Sequence, residues 1–197
     1  MAPGAGIKAA PGPFDDRVMI SHSYPDHLLT MEEWEAIPED TSRHYEAVDG
    51  VLHVAPHPGN PHQYLLSRLC KAIDPLLPAE LEVLPRVEMS VRVDYPITVR
   101  CPDLVVVNRN LVDRGAQRAD ASDVLLVVEI LNAGSVSVDR VHKLHEYAEA
   151  GIPQYWIAGP YPEKTIEVYV LRDGGYEPDL VTDDPATALR LLPEMSH

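Results

Sequence analysis

The amino-acid sequence predicts an α/β fold of the mixed α+β kind, in which helices flank a mixed β-sheet and a β-hairpin lies near the N-terminus. Three observations lead to this prediction. Helical and strand patterns follow one another along the chain, an Asp-Gly pair joins two short apolar runs, and Val124–Ile130 is apolar on both faces, as in a covered central strand. With 197 residues, 45% of them hydrophobic, the chain suits one domain with a substantial core.

The first half of the chain is predicted to hold a helix, a hairpin, a second helix and a strand. Thr30-Met31-Glu32-Glu33 is a capping-box pattern, so a short helix should begin there. Asp49-Gly50 is typical of a type I′ hairpin turn, because that turn needs positive φ at both central residues. Leucine and isoleucine recur at helical spacing over residues 62–77, and residues 83–93 should form one bent strand.

The second half is predicted to alternate strands with one helix. The elements are strands over residues 103–107 and 124–130, a helix over 138–150, strands over 154–158 and 165–171, and a weak strand near Tyr176. Val141, Leu144 and Ala148 share one face of the predicted helix, which should therefore pack against the sheet. Residues 1–25 are rich in Pro, Gly and Ala, so we expect a flexible tail followed by a single domain over 26–197.

Charge and cysteine usage narrow the class of protein. The chain has 16 basic and 31 acidic residues, a net charge of −15, so nucleic acid would have to be contacted through a small basic patch. Cys70 and Cys101 form no CxxC pair, which argues against a zinc knuckle or a disulfide framework and suits a reducing cytoplasm. No apolar run approaches the ~20 residues that a membrane helix needs.

Two carboxylates stand at the ends of predicted strands. Asp103 begins one strand, and Glu129 lies near the end of the next, after an aliphatic run. If these strands are antiparallel neighbours, both carboxylates meet at one edge of the sheet, where they could hold Mg²⁺ or Mn²⁺. Alternatively, Asp103 ends a turn and Glu129 pairs with an arginine, as in a structural ion pair.

Lys143 lies on the predicted helix that follows these strands. Asp139 precedes it by four residues, and such a pair is usually a solvated surface bridge worth about 0.3–0.5 kcal/mol. However, Lys143 borders the apolar face of the helix rather than opposing it. Its ammonium could therefore reach over the sheet edge toward the two carboxylates.

Six segments of the chain carry a resemblance to a known family. They read C-P-D at 101–103, L-L-V-V-E-I-L at 125–131, D-R-V-H-K-L-H-E-Y at 139–147, G-I-P-Q-Y-W at 151–156, Y-E-A-V-D-G at 45–50 and P-H-Q at 61–63. In their order along the chain, these segments resemble the Uma2 family (DUF820), endonuclease-like proteins of the PD-(D/E)XK superfamily. The resemblance covers about residues 31–176 and implies a restriction-endonuclease-like fold.

The resemblance also implies a function, the Mg²⁺- or Mn²⁺-dependent hydrolysis of DNA phosphodiester bonds. The implied catalytic residues are Asp103, Glu129, Lys143 and Glu46, and the implied metal ligands are Asp103, Glu129 and the carbonyl of Ile130. Leu131 occupies the superfamily's lysine position, so Lys143 matches a lysine that has moved to the next helix. The chain departs from the family at residues 132–134, where a Ser-Pro-Ser-like turn is expected, and at Gln154, where an acid is common.

The partner of such a site would be DNA, contacted by Arg100 and Arg140 near the carboxylates and by His62. His62 could instead cap or pack its helix. Two other functions stay open: an inactive nuclease fold used for binding, and a metal-dependent hydrolase for a small substrate. A homodimer is expected because several superfamily nucleases work in pairs.

Overall fold

A computed structural model describes residues 25–38, 43–56, 58–131, 136–159 and 165–192. Apart from Pro25, the predicted tail lies outside these residues, as does the turn at 132–134. The strands are β1 (Arg43–Val48), β2 (Val51–Pro56), β3 (Leu81–Pro85), β4 (Met89–Arg92), β5 (Thr98–Arg100), β6 (Leu104–Asn108), β7 (Ala119–Asp120), β8 (Val124–Ile130), β9 (Gln154–Ala158), β10 (Ile166–Arg172) and β11 (Gly175–Thr182). The α-helices are α1 (Met31–Glu35), α2 (Asn60–Ile73), α3 (Asn110–Asp113), α4 (Leu144–Glu149) and α5 (Pro185–Leu189).

The strands form two mixed sheets flanked by helices, which confirms the predicted fold class. The small sheet has the order β2-β1-β5-β4-β7 and the large sheet the order β11-β10-β9-β8-β6-β3. Pairs β4–β7 and β8–β9 are parallel, and the other neighbouring pairs are antiparallel. Where one sheet was expected, the second arises because residues 83–93 are not one strand. Arg86 has a φ of 54°, so the chain leaves β3 in the large sheet and enters β4 in the small one.

The large sheet is covered on both faces, as the apolar run of β8 predicted. On one face, Leu66, Leu69 and Ile73 of α2 pack in a cluster that includes Val128 and Trp156. The buried residues of the other face include Val127, Tyr155 and Ile157, which share a cluster with Tyr147 of α4. Among the described residues, no helix is both long and apolar enough to cross a membrane.

The small sheet is organised by the predicted hairpin. Asp49 and Gly50 have φ values of 49° and 76°, which confirms the type I′ turn between β1 and β2. The Gly50 carbonyl accepts a hydrogen bond from the Leu29 N–H, and the Gly50 N–H donates one to the carbonyl of Ile97, each at 2.7 Å. The predicted capping box of Thr30 and Glu33 is present at the start of α1. These contacts fix the position of β1, which carries Glu46.

The helix predicted over residues 138–150 has two parts. A π-helix, Val138–Lys143, precedes α4, and Gly151 follows with a φ of 78°. The prediction that Val141 faces the core is wrong, since Val141 is 62% exposed. Asp139, Lys143 and Tyr147 face inward instead. These three residues are spaced by four, so they lie on one side of the segment.

Candidate metal and nuclease site

Asp103 and Glu129 lie at the same edge of the large sheet. Strands β6 and β8 are antiparallel, and Leu104 pairs with Val128. The next position in this register places Asp103 opposite Glu129, so their side chains project on one face. Both line a cavity of about 170 Å³. The geometry thus agrees with the strand-end argument made from the sequence.

Asp103 is held through one of its two carboxylate oxygens. Oδ2 accepts a hydrogen bond from the Ile130 N–H at 2.8 Å and one from Nε2 of His62 at 2.9 Å. Oδ1 has no hydrogen-bond partner in the part of the chain that the structure describes, and it is not sealed from the cavity. One oxygen of Asp103 is therefore fixed by protein donors while the other faces the cavity.

Glu129 shows the same division between its oxygens. Oε1 accepts a hydrogen bond from the Tyr147 hydroxyl at 2.8 Å and lies 2.8 Å from Nζ of Lys143. Oε2 makes no such contact with any described residue. Burial raises the pKa of Glu129, against the opposing effect of Lys143, and the negative charge of Asp103 raises it further. Additional positive charge in the cavity would favour the ionised form.

The Lys143 ammonium is buried between carboxylates. It is 2.8 Å from Glu129 and 3.3 Å from Oδ1 of Asp139, and Asp139 and Lys143 are only 1% and 7% exposed. The interpretation of this pair as a solvated surface bridge is therefore wrong. Burial lowers the pKa of Lys143, but Glu129, Glu46 and Asp139 outweigh burial and raise it, which favours the charged ammonium.

Glu46 lines the cavity from the small sheet. Its Oε1 accepts a hydrogen bond from the Cys101 N–H at 3.1 Å, and its Oε2 accepts one from NH1 of Arg100 at 2.9 Å. Burial raises the pKa of Glu46, but Lys143 and then Arg100 outweigh burial and lower it. Glu46 is therefore an ionised group that links the small sheet to the edge of the large one.

The predicted DNA-contacting arginines are both engaged with carboxylates. Arg100 is 3% exposed and binds Glu146 through Nε and NH2, at 2.8 and 2.7 Å, in addition to Glu46. Arg140 makes two hydrogen bonds to Glu167 of β10, at 2.7 and 2.5 Å, and does not line the cavity. His62 lines the cavity, whereas Arg100 and Arg140 do not. A DNA contact by any of the three stays a prediction.

A larger cleft of about 770 Å³ adjoins the cavity. His44, Arg86 and Cys101 line both spaces, so the cleft and the cavity share part of their walls. Arg118 lies in this cleft and binds Glu35 and Glu88.

Two residues of the site were missed by the sequence reasoning. Tyr147 was read only as part of a motif, although its spacing of four residues from Lys143 could have placed both on one helix face. Asp139 was read only as a surface partner. Nothing in the sequence indicates the π-helix that carries Asp139.

The donor set fits a hard divalent cation. The described residues hold no group of three or more His, Cys, Asp or Glu side chains arranged to bind a metal. A site here would instead rest on Asp103, Glu129, a main-chain oxygen and water, as Mg²⁺ often does. The unpartnered Asp103 and Glu129 oxygens at one cavity are the observation that supports this fit.

Fold and site together define a nuclease-like α+β protein with an acidic edge and a buried lysine, and comparison with known proteins supplies the family. The model of the Uma2 family, described as "Putative restriction endonuclease", matches residues 31–196, so the chain belongs to the Uma2 family. The resemblance stated from the sequence is confirmed.

A solved structure supports the fold independently. The chain is similar to the crystal structure of "a putative nuclease belonging to DUF820" from Anabaena variabilis ATCC 29413, with a TM-score of 0.60 and 18% sequence identity. The alignment covers 80% of this chain and 86% of that one. At this identity the likeness shows a shared fold. A search of curated proteins gave no match.

Proposed function

We propose that this protein is a metal-dependent endonuclease that hydrolyses DNA phosphodiester bonds. The observation that carries the proposal is the paired edge of Asp103 and Glu129, each with one oxygen turned to the same cavity, beside the buried ammonium of Lys143. Membership of a restriction-endonuclease family supports the same reaction class.

Each residue has a defined task in this proposal. Asp103, Glu129 and the Ile130 carbonyl would hold Mg²⁺ or Mn²⁺. A bound cation of this kind polarises the scissile phosphate and lowers the pKa of water. Lys143, fixed by two carboxylates, offsets negative charge that builds on the phosphate. Glu46 adds to the field that keeps Lys143 charged.

The adjoining cleft would admit the DNA strand. Arg43 is exposed at its wall and makes no ion pair with any residue in the described ranges. Arg118 is held by Glu35 and Glu88, so it contributes less net charge. Arg43 is therefore the cation best able to meet a phosphate in this cleft.

The proposal also includes a cytoplasmic location and a homodimeric assembly. Cys70 and Cys101 are both free and half-buried, and burial raises the pKa of Cys101 to about 12. Unreactive free thiols suit a reducing cytoplasm. A homodimer, as in paired nucleases, would be tested by sedimentation of the full chain with and without DNA.

The test is cleavage of supercoiled plasmid by the full chain with Mg²⁺ or Mn²⁺, and with EDTA as the metal-free control. Nicking should require the cation and fall to background in Asp103→Asn and Glu129→Gln. Glu177→Gln removes an exposed carboxylate from β11, far along the chain from the site, and should cleave like the wild type.

Two further assays of the full chain distinguish this function from the other two. A chain that shifts DNA in a gel but never nicks it with either cation would be a binding module. Cation-dependent hydrolysis of bis(p-nitrophenyl) phosphate without plasmid nicking would indicate a hydrolase for small substrates. Either result would contradict the proposal.

A further inference from the structure

We infer that Tyr147 and His62 are positioning residues that turn one oxygen of each site carboxylate toward the metal. The inference rests on the proposed function, since it concerns the same cation site. It assigns a task to two side chains that touch neither the cavity cation nor DNA in the proposal above. Each donates one hydrogen bond, to Glu129 and Asp103 respectively.

Tyr147 fixes Glu129 from the helix side. Its hydroxyl donates to Oε1 at 2.8 Å, and the residue is fully buried. The ring meets Tyr155 edge to face, with centroids 5.4 Å apart and an angle of 71° between the ring planes. Because the ring is packed, the hydroxyl is a fixed donor. Together with Lys143 it holds Oε1, so the carboxylate cannot rotate Oε2 away from the cavity without losing both contacts.

His62 fixes Asp103 from the opposite side of the site. Its Nε2 donates to Oδ2 at 2.9 Å, and the Ile130 N–H donates to the same oxygen at 2.8 Å. His62 is 9% exposed, and its buried Nδ1 has no hydrogen-bond partner among the described residues. The hydrogen bond to Asp103 is therefore the polar contact that orients this imidazole ring.

The carboxylates of Asp103 and Glu129 are thus held in the same way. Each has two protein donors on one oxygen and none from the described residues on the other. A carboxylate that is already oriented loses less conformational freedom when a cation binds. Partners of this outer kind typically change metal affinity by about 10–100-fold when they are removed.

Tyr147→Phe is the sharper of two tests because it removes one oxygen and conserves the ring. Isothermal titration of the full chain with Mn²⁺ should show an affinity lower by about 10-fold or more. Tyr176→Phe is the matched control, since the Tyr176 hydroxyl likewise donates one hydrogen bond, to the Ile152 carbonyl at 2.8 Å, in the same tyrosine cluster. Its Mn²⁺ affinity should equal that of the wild type.

For His62, a conservative variant distinguishes positioning from packing. Glutamine can place an amide N–H where Nε2 lies, whereas leucine fills space without a donor. His62→Gln should keep Mn²⁺ affinity near the wild-type value, and His62→Leu should lose about 10-fold or more. Melting temperatures in EDTA report folding of all four variants without metal.

The outcomes separate this inference from the proposed function. If the wild type binds Mn²⁺ and both Tyr147→Phe and His62→Leu bind it within about twofold, the positioning inference is overturned and the metal site stands. If Tyr147→Phe and His62→Leu lower the melting temperature but leave the Mn²⁺ affinity unchanged, the inference is likewise overturned, because the two side chains then have a purely structural role. If the wild type binds no Mn²⁺ at all, the metal site and the inference both fall.

Discussion

The buried ammonium of Lys143 links the stability of this protein to its site. Lys143 lies among Glu129, Asp139 and Glu46, whose charges keep it protonated despite its burial. Removing one member of a buried ion pair leaves the remaining charge without compensation, which typically costs about 3–5 kcal/mol. Lys143 should therefore matter for folding as well as for catalysis.

Lys143→Met should accordingly lower the free energy of unfolding by about 3 kcal/mol or more, measured by urea denaturation at pH 7 in EDTA. Methionine keeps most of the volume, so the loss reports the charge and not a cavity. Lys71→Met, on the exposed face of α2, is the control and should change stability by less than about 0.5 kcal/mol. A loss equal to that of the control would mean that the carboxylates do not hold Lys143 in solution.

At this scale the sequence predicts part of the site. Asp103 and Glu129 could be paired because strand ends and an aliphatic run are visible in the sequence, and the antiparallel register brings them together. Tyr147 could not be assigned, because its hydrogen bond to Glu129 joins α4 to β8. The Asp139–Lys143 pair is visible in the sequence, but its burial is not. The engagement of Arg100 by Glu46 and Glu146 depends in the same way on tertiary placement.

At the scale of elements, the π-helix Val138–Lys143 decides which side chains reach the site. In this segment Val141 is exposed, whereas Asp139 and Lys143 are buried. Because π-helical turns are rare and concentrate at functional sites, the local geometry of this segment fits a site that needs a buried lysine.

Other elements divide into predictable and unpredictable ones for physical reasons. The run of β8 is long and apolar, so its bounds were predicted correctly. Strand β5 and helices α3 and α5 were missed, because segments of 3, 4 and 5 residues carry too little periodicity. Residues 83–93 look like one strand because their apolar pattern continues across the break at Arg86.

Two Asp-Gly hairpin turns give an internal comparison. Asp49-Gly50 and Asp173-Gly174 have nearly the same backbone, with glycine φ values of 76° and 82°. A Cβ at Gly174 would have no neighbour within 4 Å, whereas at Gly50 it would lie 2.7 Å from Cβ of Leu28. The first turn is therefore packed against the segment before α1, and the second is open.

Gly174→Ala should lower the free energy of unfolding by about 1–2 kcal/mol, the cost of a left-handed L-residue. Gly50→Ala should lose a further 1–3 kcal/mol or so, because its methyl group also overpacks the contact with Leu28. Thermal and urea denaturation of both variants measure the difference. Equal losses would show that the segment at Leu28 does not pack on the turn.

At the scale of the whole molecule, the acidic balance limits how DNA can be held. The net charge is −15, and most described arginines pair with carboxylates. The basic patch expected from the sequence was assigned to Arg100 and Arg140, which are engaged elsewhere. The cleft beside the cavity offers the exposed Arg43 of β1 instead. The sequence does not show this position, because it depends on how the chain folds around the cleft.

DNA binding should therefore be weak and only mildly dependent on salt. Each phosphate contact contributes about −0.9 to the slope of log K against log salt, so a few contacts give a slope of about −2 to −4. Arg43→Ala should make the slope shallower by about one contact, measured by fluorescence anisotropy with a labelled duplex in EDTA. Arg114→Ala removes the same charge from an exposed ion pair with Asp123 and should leave the slope unchanged, which controls for net charge.

A slope of about −7 or steeper would reveal eight or more contacts and hence a broad basic face. An unchanged slope in Arg43→Ala would instead show that the strand does not follow this cleft.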